Sequence, residues 1–509
     1  MSADSLGGRR RSGVCVSVVL ASCLCPFVSS AQSDIAFPQQ VYVARRAELL
    51  RDLPEAVVVV PGRYMISPGD EPIRQGPDFW YLTGVESPYA VLVMEQSPTA
   101  PRESRSYLFV PTEFQFAGGQ FPMADSMFRR APWNRPGKRL VPGDAAARLT
   151  GVNEVLPLDS LVPRLRAMIT KRGALFITTG STLYTPPGLT PPLTHEAQFA
   201  RSVAALVPGI EPRDIHPAIA RLRAIKGPEE IAALREAARI AGLGLVEAMR
   251  ATRPGLNDRE IGGLMEYVWK REGAQRASFT PIVMSGPNLM TLFTLQRERY
   301  NAVNHVMREG DLLFIDYGAA EWNMYASDLC RTIPVSGRFT PEQRKYYEIV
   351  LEAQEAAIAA VRPGAMMVDV IRRAAEVFQR HGLQPNEDIA RMGVDRVWGL
   401  MPSPTHYLTR DAGITRYSAA GFGVRDIGHM VGLEATDGRD WSRPLAPGMV
   451  ITIEPKLYIP ELGIAIMIED EILVTSDGNE NLSASVPKRV ADIERVMAEG
   501  RRVRAWERR

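Results

Sequence analysis

Gly448-Met449-Val450-Ile451-Thr452-Ile453-Glu454 is a short apolar run opened by a glycine and closed by a carboxylate. It has a counterpart upstream, Gly310-Asp311-Leu312-Leu313-Phe314-Ile315-Asp316. Each reads as a buried strand with an acid at its exit. The stretches before them repeat as well. Arg253-Pro254-Gly255, a helix and Arg271-Glu272-Gly273 return, at one constant offset, as Arg362-Pro363-Gly364, a helix and Arg380-His381-Gly382. A helix-and-strand unit that occurs twice predicts two similar halves facing each other, with the acidic strand ends brought together. Ordinary helix and strand punctuation is the blander account, and two features agreeing in order weigh against it.

Two more acids, Asp328 and Glu469, fall at or near strand ends, and one histidine, His429, lies in Gly428-His429-Met430-Val431-Gly432. Singly, each acid is more often a surface or capping residue. Gathered together, carboxylates repel, and burying them unpaired is costly unless cations neutralise them. An oxygen-rich set with one imidazole suits Mn²⁺, Co²⁺ or Zn²⁺ rather than a structural zinc site. Two ions bridged by carboxylates can hold a hydroxide and polarise a carbonyl together.

The blocks that carry these residues resemble the metal-ligand blocks of pita-bread metallopeptidases. They are Ile315-Asp316-Tyr317-Gly318, Tyr325-Ala326-Ser327-Asp328-Leu329-Cys330-Arg331-Thr332, His429, Pro447 to Pro455 around Glu454, and Ile468-Glu469-Asp470. The resemblance implies that Asp328 and Glu469 bridge two divalent ions, Mn²⁺ first, with Co²⁺ or Zn²⁺ as alternatives. Asp316 would complete one site, His429 and Glu454 the other, and Glu454 would serve as general base to the attacking water. Upstream, Arg74-Gln75-Gly76-Pro77-Asp78-Phe79-Trp80-Tyr81-Leu82-Thr83-Gly84 resembles the N-terminal domain of Xaa-Pro aminopeptidases and prolidases, and Pro281 to Asn288 is similar to a block before a catalytic histidine in those enzymes. Without the family, Asp78 to Tyr81 would read as core packing. The implied fold is an α/β N-terminal domain followed by an α+β pita-bread (creatinase/aminopeptidase-like) catalytic domain. The implied activity is release of an N-terminal residue from a peptide or small amide. Homodimers and homotetramers are common in that family, and nothing in this sequence fixes the number.

The sequence departs from the family where histidines are expected. The position after Asn288 falls on Phe293 when counted forward and on Arg299 when counted back from Asp316, because the segment is longer here; His305 lies past it. The other two positions are Arg425 and Thr436. Alternation along a strand puts Met467 on the face of Glu469, where the family commonly carries arginine. The missing groups would polarise the scissile carbonyl and protonate the leaving nitrogen, work worth about 10²–10⁴-fold per group. Slow peptidase activity, a different hydrolytic substrate, or a metal-binding scaffold without catalysis are the three outcomes this allows, and Arg425 or Arg299 is a candidate replacement for the lost polarising group.

The rest of the chain frames this site. At 509 residues it is too long for one ordinary core. Strand-like runs Ala56 to Val60, Tyr89 to Met94, Tyr107 to Val110 and Ala174 to Thr178, with a helix over Tyr42 to Leu53, predict an α/β domain over 36–215. Lys226-Gly227-Pro228-Glu229 opens a helix running to about Arg250, so a second domain is placed at 224–490, with an Arg-rich tail at 491–509. Residues 1–31 read as an export signal: Arg9 to Arg11 precede an apolar run, and Ser29-Ser30-Ala31 offers a cleavage site. Leu20-Ala21-Ser22-Cys23 resembles a lipoprotein box, with Cys23 as the lipidated residue in that alternative. The expected location is periplasmic or extracellular. Three of the four cysteines lie in that signal, leaving Cys330 alone and no disulfide to form. The formal charge of +2 falls near zero without the signal, which argues against a nucleic-acid partner.

Overall fold

Val57-Val58-Val59-Val60 shows no alternation of polar and apolar residues, the pattern of a strand covered on both faces. Strand β1 (Val57–Pro61) is such a strand: Val58 and Val60 enter one apolar cluster, Val57 and Val59 another. It is central to a six-stranded mixed sheet with β2 (Val91–Glu95), β3 (Arg105–Val110), β4 (Glu154–Pro157), β5 (Leu175–Ile177) and β6 (Arg213–Asp214), in the order β4-β3-β2-β1-β5-β6. Helices Gln39–Arg51 and Pro77–Thr83 cover one face through Tyr42, Leu49, Phe79 and Leu82. Helices Leu161–Arg172 and His195–Ala204 cover the other through Leu165, Ile169 and Val203. The computed structural model describes residues 36–51, 53, 56–63, 74–96, 104–112, 140–180, 188–190, 192–291, 304–383, 421–422, 427–438 and 440–507. The expected export signal, Cys23, and the candidates Phe293, Arg299 and Arg425 lie outside them. The described residues form one compact unit.

The repeat read in the sequence has a backbone counterpart. Gly255 and Gly364 precede helices Asp258–Arg271 and Met367–Arg380, Gly273 and Gly382 follow them, and Gly310 and Gly448 open the acid-ending strands. All six have positive φ, from +74° to +98°, a conformation that an L side chain rarely adopts. In the first half β9 (Leu312–Asp316) lies between β8 (Val283–Ser285) and β12 (Cys330–Pro334). In the second half β14 (Val450–Ile453) pairs with β17 (Asp470–Val474), and β15 (Lys456–Ile459) pairs with β16 (Ile464–Met467). Helices Pro228–Ala251, Pro341–Ala360 and Val490–Glu507 complete the same core.

Ion pairs rather than apolar area alone tie the N-terminal sheet to this half. Arg45 reaches Glu230 at 3.0 Å, and Arg74 pairs with Glu321 at 2.6 Å. Asp78, the acid of the Phe79-Trp80-Tyr81 block, accepts from Arg223 at 2.7 Å, and Arg223 also pairs with Asp437, as does Lys226. The block is thus both core and anchor. His216 Nδ1 lies 2.7 Å from Asp78. That bond raises the imidazole above 6.5, whereas for Asp78 burial alone would raise the carboxyl and is outweighed by His216 and Arg223, which hold it low. A raised histidine stabilises the fold fully below its unfolded value and loses that contribution as pH rises through the folded one. His216→Asn should therefore flatten the decline in melting temperature between about pH 6 and pH 8. The change is expected to be small, since the His216 side chain is half exposed. Melting curves of both proteins across that range, in one buffer series, read it directly.

Candidate metal centre

Each acid reaches the centre from a strand end. Asp316 closes β9, and Asp328 lies in the turn leading into β12. Glu454 follows β14 directly, and Glu469 lies in the crossing from β16 to β17. The two halves are stitched by backbone: Cys330 is in register with Asp316 on one side and bridges Glu469 on the other, where Glu469 N donates to Cys330 O at 3.1 Å. Met430, beside His429, bridges Ile451, and Thr452 N donates to His429 O at 2.8 Å.

The side chains converge. Ligand atoms of Asp328, His429 and Glu469 all lie within 4.8 Å of one another. His429 Nε2 is 3.3 Å from Asp328 and 3.8 Å from Glu454. Burial lifts the Glu469 carboxyl well above the usual carboxylate range, and the nearby charges of Asp328, Glu454 and Asp316 lift it further. All five sequence-derived groups are buried. They therefore share one electrostatic neighbourhood.

The donor set fits divalent cations. Among the described residues Glu469 Oε2 is buried without a hydrogen-bond partner, an arrangement that costs about 1–3 kcal/mol or more unless something else engages the oxygen. His429 Nδ1 lies 3.2 Å from Met430 O, which engages an Nδ1 proton and leaves Nε2, the nitrogen that faces two carboxylates, as the one a cation would take. Oxygen donors plus one imidazole are the chemistry that Mn²⁺, Co²⁺ or Zn²⁺ accepts.

Residues that spacing did not reveal complete the arrangement. Thr452 Oγ1 accepts from His429 N at 3.0 Å and donates to Glu454 Oε1 at 3.5 Å, fixing one ligand against the next. Glu471, fully buried, accepts from Asp328 N. Lys456 Nζ lies 3.0 Å from Glu454 Oε2. Alternation within strands puts Thr452 and Glu454 on one face, a signal the sequence does contain; Lys456 lies past Pro455, where that count stops being secure.

Met467 is fully buried at the end of the strand that runs toward Glu469. Met467 ends β16 and Asp470 begins β17, so the chain changes sheets across Ile468 and Glu469. Across the hairpin Met467 lies directly opposite Lys456. Thr436 is half-buried in the loop before Asp437.

Gly428 is where the His429 segment touches β14. A Cβ there would lie 2.0 Å from Thr452 O. Gly428→Ala must push the two segments apart, breaking the bond from Thr452 N to His429 O. It should cost about 1–3 kcal/mol of stability and lower metal content together. Urea unfolding and metal analysis of the purified variant check both.

Residues 232–476 match Metallopeptidase family M24, and residues 42–176 match the aminopeptidase P N-terminal domain. The chain is 32% identical to the Xaa-Pro aminopeptidase of Escherichia coli (strain K12), over 85% of this chain and 90% of that protein. It is 28% identical to Xaa-Pro aminopeptidase 3 of Mus musculus, over 86% of this chain and 79% of that protein. Among solved structures, proline aminopeptidase P II from Yersinia pestis superposes with a TM-score of 0.69 at 28% identity, covering 91% of this chain and all of that one.

Proposed function

The chain belongs to the M24 metallopeptidases, with an aminopeptidase P N-terminal domain ahead of the pita-bread domain, and from that membership we propose that it removes the N-terminal residue from Xaa-Pro peptides. The convergence of Asp316, Asp328, His429, Glu454 and Glu469 in one buried cluster carries this reading. These five would hold two divalent ions, Mn²⁺ first. Such ions supply a water of lowered pKa and an electrophile for the peptide carbonyl.

The chain's own groups do the rest. His429 presents Nε2 because Met430 O engages Nδ1. Thr452 directs Glu454 Oε1 toward His429. Glu454 would take the proton from the attacking water and pass it on toward the leaving nitrogen. Turnover should be slow, because the positions of three family histidines hold other residues. We place the domain division between residues 215 and 224. We also assign the chain to an exported pool on the strength of residues 1–31.

The test is a chelator-stripped protein reloaded with Mn²⁺ and offered Ala-Pro and Ala-Ala peptides of equal length. Metal-dependent release of alanine from the Ala-Pro peptide alone is the expected result. Bound metal with no turnover of either peptide would return the protein to a different amide substrate or a metal-binding scaffold.

A further inference from the structure

Four carboxylates gathered around one imidazole leave the centre short of positive charge on the protein side, and the register of one hairpin shows where some is supplied. Lys456 opens β15 and Met467 closes β16, and the two are paired directly across the hairpin. Directly opposed residues of an antiparallel pair project from the same face, with Cβ atoms about 4.5–5.5 Å apart. Met467 is fully buried and brings no charge. Lys456 is largely buried, and its ammonium bonds Glu454 Oε2 at 3.0 Å. The other oxygen of the same carboxylate, Oε1, faces Thr452 and His429. One carboxylate is therefore held from both ends.

We propose that Lys456 is a positioning residue of the metal centre, whose ammonium fixes the Glu454 carboxylate and sets metal affinity, delivering from position 456 a charge that position 467 lacks. The inference rests on Glu454 being a metal ligand, as the proposed function has it. Two consequences follow from opposite sides of one interaction. The ammonium competes with a cation for Oε2 and repels it, so it weakens metal binding. It also holds the carboxylate in a single orientation, so it favours turnover. A residue that only supported the fold would, on removal, weaken both.

Three variants separate these cases: Lys456→Met, Lys456→Arg, and Lys456→Met combined with Met467→Arg. Mn²⁺ binding to chelator-stripped protein is measured by calorimetry, and kcat and KM on an Ala-Pro peptide are measured on the reloaded protein. Lys456→Met should bind Mn²⁺ roughly tenfold more tightly. Its kcat should fall about 10–100-fold with KM little changed. Lys456→Arg should stay within about threefold of the parent in affinity, and the double variant should return to it, because the same face regains its cation. Unchanged or weaker metal binding by Lys456→Met overturns the proposal, as does Lys456→Arg behaving like Lys456→Met. Failure of the double variant, once folded, to recover the parent's affinity overturns it too. The calorimetry stands apart from the proposed activity. If the parent cleaves no Xaa-Pro peptide yet the affinities follow this order, the activity is refuted and the role of Lys456 is upheld.

Discussion

Glu454→Gln should leave the melting temperature of the metal-free protein within a few degrees of the parent and reduce kcat/KM on an Ala-Pro peptide by about 10³-fold or more. The substitution keeps shape and removes charge. A lost general base alone costs about 10²–10⁴-fold, and the amide also binds a divalent ion less well than a carboxylate does. The effect should therefore appear in two separable measurements, metal content after dialysis and turnover at saturating Mn²⁺. Raising the metal concentration should recover occupancy without recovering rate. Were rate to recover with occupancy, Glu454 would be a ligand and not the base. The Lys456 ammonium keeps a hydrogen-bond acceptor in the glutamine Oε1, so gross loss of fold is not expected.

Two of the candidate ligands, Asp316 and Glu454, are legible because each follows a run whose character is fixed by local sequence. A glycine with positive φ, four or five apolar residues and a carboxylate can hardly be anything but a buried strand with an acid at its mouth, as Gly310 to Asp316 and Gly448 to Glu454 show. The helix starting at Pro228 was equally plain, since proline and two glutamates favour a first turn. The limits of local reading appear where contacts cross strands. Nothing in the spacing puts Lys456 opposite Met467, because register depends on the turn between them, here Pro460–Leu462. Arg74 was visible within a motif, yet its partner Glu321 lies far along the chain and only the fold unites them.

Arg331 is the residue whose loss should be felt most widely in the fold. It follows Cys330 in the block leading from Asp328, and its guanidinium is wholly buried. One nitrogen donates to Glu469 O and to Cys330 O, another to Asp470 at 2.6 Å and to Val486 O, and Nε donates to Pro487 O at 3.0 Å. Asp470 would have its carboxyl raised by burial; Arg331 and Lys488 instead push it down to about 2. Arg331→Met keeps most of the volume, strips every one of these bonds and leaves Asp470 with Lys488 as its remaining cation. Breaking a buried pair in this way costs about 3–5 kcal/mol, which urea unfolding would show as a shifted midpoint with an unchanged slope. Asp470→Asn should cost less, because Lys488, Asn481 and Ser483 still have an oxygen to share. In the double variant the two losses should not add, since the partner's charge is already gone. Because Arg331 also grips the carbonyl of Glu469, the single variant should bind Mn²⁺ more weakly than the parent, opposite to Lys456→Met. If Glu454 and Glu469 are ligands as proposed, one cation holds the strand that carries a ligand while the other restrains a ligand itself, and metal affinity is expected to move in opposite directions when each is removed.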